Sequence, residues 1–279
     1  PVIEFRKQCR DFASKWISIQ KKEFQRLGVI GDWDNPYTTM HFHAEAQIVR
    51  ELGKFLKNGG IYKGHRPVLW SVIEKTALAD AEVEYHDHKS TTIYACFPIS
   101  KTSNNKLNDH SIVIWTTTPW TIPGNRALAV HNEIEYKSLN FKNDNVDKKV
   151  IIASDLVESF IKENKIEEYK VNFSIKGHEL INTSCKHTLY DSGYDFEVPI
   201  LHGDFVTTEQ GTGIVHICPV HGMDDFILGK QHDLELPMTI NESGIYYDHI
   251  PVFNGQHIFK VDQNVCDEIK KNDNLISQG

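Results

Sequence analysis

A change of texture near Arg66 constrains this 279-residue chain more than any other feature. Before it the apolar residues recur at helical spacing. Phe5, Cys9, Phe12, Trp16 and Ile19 are four and three apart and predict a helix over 2–27. Ile48, Val49, Leu52, Phe55 and Leu56 predict a second near 44–58, stopped by Gly59 and Gly60. LGVIGDWDNPY separates the two with Gly, Asp and Pro. After Arg66 the apolar residues come in short runs: TTIYACFPI, SIVIWTTT, RALAVH, KVIIAS and TGIVHI. Their length and β-branched content predict strands. KTSNNKLND and NFKNDNVDKK read as polar loops or hairpin tips. Three short helices interrupt the strands: one near 155–164, capped by Asp155 with Glu158 and turning Leu156, Phe160 and Ile161 inward, one opening at Asp224 and Asp225, and one over 262–271. The expected organisation is a helical lead-in over 1–80 and a mixed, strand-rich domain over 81–279.

Composition narrows the class. Hydrophobic residues make up 40% and charged residues 24%, as in ordinary soluble globular proteins. No apolar run approaches the ~18 residues of a membrane span. A net charge of −8 argues against a free-standing nucleic-acid binder, while leaving room for a local basic patch. The five cysteines are scattered without a C-x-x-C, so neither a disulfide framework nor a cysteine zinc site is expected. The first residue, Pro1, opens straight into helical sequence, which suggests a segment of a longer protein.

Two segments carry chemistry. In WTTTPWTIPGN, Trp115 to Asn125, three hydroxyls stand between rigid, bulky residues. On an extended chain Thr116 and Thr118 face one side and Thr117 the other. Pro119 disfavours helix for Thr118, which fixes where the hydroxyls point. Asn125 adds an amide. From spacing alone, a binding role and a stiff strand end with Trp115 and Trp120 in the core both stand. In GTGIVHICPVHGMDDF, Gly211 to Phe226, glycines and a proline bracket His216, His221, Asp224 and Asp225. Three readings stand for it: helix cap and core histidine, a divalent metal site, or a metal-free ligand site. No G-x-S-x-G elbow, P-loop or G-x-G-x-x-G is present, so no activated nucleophile is indicated.

WTTTPWTIPGNRALAV resembles the threonine-rich peptide of isoleucyl-tRNA synthetases, and GTGIVHICPVHGMDD resembles the second signature of their editing domain, the connective polypeptide 1 insertion. FQRLGVIGDWDNPYTTM, TALADAEVEY and GQHIFKVDQ resemble that family's lead into the insertion and its far side. Valyl and leucyl relatives carry T-T-R-P, whereas Thr118 stands here in place of their arginine, which points to the isoleucyl branch. The class I signatures H-I-G-H and K-M-S-K-S are absent, so aminoacylation is not expected of this segment. VLWSVIEKTALADAEVEY lacks the cysteine pair of many bacterial relatives, which argues against zinc there.

The resemblance implies an α+β fold with a strand-rich, barrel-like core decorated with helices. It implies hydrolysis of mischarged valyl-tRNA(Ile), with valyl-adenylate as a second possible substrate. Isoleucine and valine differ by one methylene, worth only about 1–3 kcal/mol, a figure taken from the isoleucyl enzymes themselves rather than from this chain. A second sieve must therefore admit the valyl ester, exclude the isoleucyl one, and hydrolyse the ester it admits. By the same resemblance Asp225 holds the substrate ammonium, His216 excludes the extra methylene, and Thr116, Thr117 and Thr118 bind the terminal adenosine and ester and help place water. Asn125 and Trp120 complete the site, and His221 and Asp224 are left between support and capping. No cofactor or metal is expected for editing; ATP and Mg belong to the full-length synthetase. The expected partners are the acceptor end of tRNA(Ile) and valine, in a cytoplasmic, non-membrane monomer. A non-catalytic acceptor-end binding module and a metal-dependent hydrolase using His216, His221 and Asp225 are the alternatives.

Overall fold

A computed structural model describes residues 1–279, which divide into two compact units, Pro1–His65 and Arg66–Gly279. The first unit holds α1 (Val2–Arg26) and α2 (Phe42–Lys57). Within it both apolar stripes lie open: Phe5, Phe12 and Trp16 on α1 and Ile48, Val49, Leu52 and Phe55 on α2 are all exposed. Its internal ties are ion pairs and aromatic contacts, among them Phe24 stacked on Trp33 at 6.5 Å. Arg10 bridges to Glu45 and lies over the Phe42 ring, and Lys21 pairs with Asp34.

The second unit begins with a two-stranded ribbon, β1 (Trp70–Ser71) and β2 (Thr76–Ala77). Ten further strands follow. They are β3 (Ile93–Lys101), β4 (Ser111–Thr116), β5 (Ala127–Val130), β6 (Glu135–Asn143), β7 (Val146–Ala153), β8 (Tyr169–Lys176), β9 (Ser184–Lys186), β10 (Glu197–His202), β11 (Val215–Ile217) and β12 (Leu275–Gln278). They form one mixed sheet in the order β11-β5-β10-β9-β3-β4-β7-β6-β8, with β12 paired to β3 beside β9. Three helices decorate it: α3 (Val157–Glu163), α4 (Met223–Gln231) and α5 (Asp262–Lys271).

The barrel-like core expected from the sequence is not what forms. Closure needs hydrogen bonds all the way round the ring. Here β11 and β8 end an open path and do not pair. β11 is three residues long, and most of β8 is exposed, including Tyr169 and Val171. The fold is α+β with an open sheet. No helix is long and apolar enough to cross a membrane.

The uninterrupted apolar runs have a direct cause: the central strands are buried on both faces, so both sets of alternating side chains there must be apolar. On β3, Ile93, Ala95 and Phe97 enter the main core, while Tyr94 and Cys96 enter a second cluster on the other face. β4 divides Ile112 and Ile114 from Val113, and β7 divides Ile151 and Ala153 from Val150 and Ile152, in the same way. β5 gives Leu128 and Val130 to the main core and Ala127 and Ala129 to a third cluster under α4. The NFKNDNVDKK tip is the β6–β7 hairpin, with Asp144 and Asn145 both at positive φ, as tight hairpin turns require.

α3 closes the second cluster. Asp155 does not cap it, contrary to the sequence reading. Leu156 occupies the cap position after a short 3₁₀ turn, Ser154–Leu156, and no side chain caps the helix. Burial supplies the anchoring instead. Phe160 is fully buried and meets Tyr94 edge-on at 5.4 Å and Phe141 at 5.9 Å. Phe160→Ala is therefore expected to cost about 3–5 kcal/mol of stability. Urea unfolding checks this, and a loss under about 1 kcal/mol would show that α3 is held otherwise.

Candidate functional site

The site is built where β4 stops. Thr116 ends the strand and is buried; Thr117 and Thr118 follow it and are exposed. Pro119–Gly124 then forms a 3₁₀ turn, so the chain leaves the sheet, makes one tight loop and returns as β5. The Thr118 amide donates to Thr116 Oγ at 3.1 Å, and the two hydroxyl oxygens are 3.2 Å apart. Thr116 and Thr118 thus form one polar cluster.

β11 lies antiparallel to β5, with His216 opposite Leu128, so the imidazole shares the face that looks into the main core. Gly213 brings β11 there. Its φ is +69°, and a Cβ would fall 2.4 Å from Ala153 Cβ, so a side chain is refused on both counts. Its carbonyl accepts from the Tyr136 hydroxyl at 2.9 Å.

Both ring nitrogens of His216 are held by the 119–125 segment. Asn125 Nδ2 lies 2.9 Å from the Ala127 carbonyl and 3.1 Å from His216 Nδ1. A carbonyl only accepts, so the amide nitrogen faces this side and donates to both. Nδ1 is then the acceptor and Nε2 carries the proton. His216 Nε2 donates to Thr121 Oγ at 2.8 Å, and the Thr121 hydroxyl donates onward to the Thr118 carbonyl at 2.8 Å. The chain Asn125–His216–Thr121–Thr118 joins residues some 95 positions apart in sequence. Burial, with His221 nearby, pulls the His216 pKa down to about 4, so the ring is neutral at pH 7.

Asp225 sits in the first turn of α4 without capping it. Its Oδ2 accepts from the Cys218 amide at 2.8 Å, which ties the carboxylate to the chain two residues beyond His216. Burial pushes the Asp225 pKa up to about 6; the Cys218 bond opposes this and neighbouring Asp224 adds to it. Asp224 is exposed. Gly124 lets the turn approach this strand end: a Cβ there would lie 2.5 Å from Cys218 Sγ.

Trp120 is half-buried and gripped by its backbone. Its amide donates to Asp262 Oδ1 at 3.2 Å, at the start of α5, and its carbonyl accepts from the Tyr246 hydroxyl. Its ring meets His221 edge-on at 4.8 Å. His221 Nε2 bonds Thr239 Oγ at 3.0 Å, and burial lowers its pKa to about 4. His221 therefore braces the Trp120 side of the site.

Thr116, Thr118, Asn125 and His216 thus fall into one hydrogen-bonded group, with Asp225 beside its strand and Trp120 on the same turn. The exposed Thr117 side chain stands outside that group. Thr121 was missed in the sequence, although it lies inside the quoted peptide; a fourth hydroxyl in so rigid a segment was the available signal. Cys218 and Thr239 carried no signal of their own. No group of three or more His, Cys, Asp and Glu side chains is placed to hold a metal ion. His216 has no free lone pair for one either, because Nδ1 is occupied by Asn125 and Nε2 is protonated.

Residues 2–272 match the family model described as tRNA synthetases class I (I, L, M and V). The isoleucine–tRNA ligase of Pelagibacter ubique is 51% identical over 281 residues, covering 100% of this chain and 31% of that protein. That of Gluconobacter oxydans is 46% identical, over 96% of this chain and 29% of that protein. The chain thus spans about 30% of the length of these relatives. The solved structure of GlLeuRS-CP1 superposes with a TM-score of 0.52 at 16% identity, covering 68% of this chain and 99% of that one, a likeness of fold.

Two titrations test the electrostatics. By NMR, the Asp225 carboxyl should show a midpoint near pH 6, and His216 should remain a neutral Nε2–H imidazole from pH 8 down to pH 5. An Asp225 midpoint near the ordinary carboxylate value, or a His216 midpoint near 6.5, would contradict the burial described here.

Proposed function

The chain belongs to the class I tRNA synthetases (I, L, M and V), as a segment of the isoleucyl type with the connective polypeptide 1 editing-domain fold, and from this we propose that it hydrolyses valyl-tRNA(Ile). The observation that carries the reading is the two-point hold on His216. A ring fixed at both nitrogens, neutral and buried, suits a rigid pocket wall and has no lone pair to act as a base.

The roles follow from that. Ionised Asp225 receives the ammonium of the aminoacyl group in a charge-assisted bond. The valyl side chain lies against His216, where the additional methylene of isoleucine meets a wall that cannot swing aside. The exposed hydroxyls of Thr117 and Thr118, with Thr116 behind them, face the ester and the terminal ribose. Water attacks the ester carbonyl carbon, the bond from that carbon to the ribose oxygen breaks, and the proton given up by water ends on the ribose oxygen. Valine and uncharged tRNA(Ile) leave. Esters are reactive enough that positioning and polarised hydrogen bonds suffice without a covalent intermediate. Valyl-adenylate is a second substrate compatible with the same ammonium and side-chain contacts. ATP and magnesium are assigned to the parts of the longer relatives that activate the amino acid. We place the whole protein in the cytoplasm, acting as a monomer on the tRNA acceptor end.

Deacylation assays on valyl- and isoleucyl-tRNA(Ile) test this reading. Wild type should release valine and spare the isoleucyl ester. Asp225→Ala should lower kcat/KM for the valyl ester by about 10²-fold or more, as loss of one partner of a desolvated charge pair does. His216→Ala should open the isoleucyl ester to hydrolysis. Binding of tRNA without turnover by folded wild type would instead support a non-catalytic acceptor-end module.

The pH dependence has a definite sign. The Asp225 pKa is raised to about 6, and the ammonium needs the carboxylate, so kcat/KM should fall as pH drops through about 6. A rate flat from pH 7.5 to pH 5 would remove Asp225 from the ammonium contact.

A further inference from the structure

His187 is fully buried against the 119–125 turn and belongs to none of the contacts assigned above. Its Nδ1 accepts from the Leu189 amide at 3.1 Å, so Nε2 carries the proton. Nε2 donates to the Ile122 carbonyl at 3.1 Å. That carbonyl also accepts from the Asn125 amide at 2.9 Å, the bond that closes the turn. Both of its lone pairs are thereby used.

The imidazole itself cannot drift. It stacks on Tyr194 with ring centres 5.0 Å apart and 20° between planes, and it packs on Phe196 at 5.1 Å. The other end of the turn is tied to the same aromatic group. Arg126 lies over the Phe196 ring at 4.7 Å and donates from Nη1 to the Asn125 carbonyl at 2.7 Å. The turn is thus anchored at Ile122 by His187 and at Asn125 by Arg126. Thr121 and Asn125, the two residues that grip His216, stand at or beside those anchor points.

From this geometry we infer that His187 is a positioning residue for the specificity wall: it fixes the turn from beneath, and the turn fixes the His216 ring. The inference rests on the functional reading above for what the wall excludes, but not for the structural coupling. His187→Leu removes the donor while keeping apolar bulk, so the Ile122 carbonyl loses its second partner and the turn gains freedom. His187→Gln restores an N–H donor near the position of Nε2.

The test pairs two readouts. The valyl-to-isoleucyl ratio of deacylation rates should fall about tenfold or more in His187→Leu, since small misplacements in a site have effects of that size. It should return toward wild type in His187→Gln. In parallel, the His216 ring ¹⁵N signals should lose the single Nε2–H pattern in His187→Leu and keep it in His187→Gln. An unchanged ratio together with unchanged His216 signals would overturn the assignment. Failure of wild type to hydrolyse either ester would count against the functional reading, while the His216 signals would still decide the coupling. If His187→Leu does not fold, the wild-type His187 ring decides: a proton on Nδ1 rather than Nε2 overturns the assignment, and an Nε2–H donor supports it.

Discussion

The hold on the His216 imidazole is the interaction on which the rest of the site depends. One ring joins two segments that lie far apart in sequence, and it does so through two hydrogen bonds whose directions leave a single tautomer. A buried imidazole with an unpaired nitrogen would carry a desolvation penalty of about 1–3 kcal/mol, so the pairing at both ends is what makes full burial tolerable. Burial in turn keeps the ring neutral. A protonated ring would set a charge against the apolar side chain proposed to pack on it.

The sheet explains why these two segments meet at all. β4 runs out at the threonines, and β5 begins directly after the turn with β11 along its edge. Because both faces of the sheet are packed, neither strand can slide without moving apolar side chains from one core to another. The register that sets His216 opposite Leu128 is therefore fixed by packing remote from the site. His187, Tyr194 and Phe196 extend the same rigidity under the turn. Of the candidate side chains, those of the 117–125 segment are presented by a turn whose position is decided by the core, while His216 and Asp225 come from β11 and α4.

How much of this was legible in the sequence depended on the range of the interaction. The helices of the first unit and the apolar strands could be read because their patterns are local: Phe5 to Ile19 repeat at helical spacing, and IVI or VIIA exceed what a one-sided strand would carry. The threonine run and the His216–Asp225 segment stood out as chemistry, but spacing alone left each with a bland alternative. The family resemblance supplied the roles. Closure of the sheet was misjudged because pairing between first and last strands leaves no mark on either strand alone; the three-residue β11 and the exposed β8 end it as an open path. The Asp155 cap failed for a similar reason, since Phe160 burial anchors α3 without it. Thr121 and His187 leave no local mark in the sequence because each meets the site only through a partner, at 95 and 65 positions' separation.

A crystal structure of the chain with a non-hydrolysable valyl-adenosine mimic tests the central claim most directly. The ammonium should lie on the Asp225 carboxylate, the valyl side chain against an unmoved His216 still bonded to Thr121 and Asn125, and the ester position should face Thr117 and Thr118. A mimic bound away from Asp225, or a His216 ring that has turned out of its two hydrogen bonds to admit it, would contradict the account.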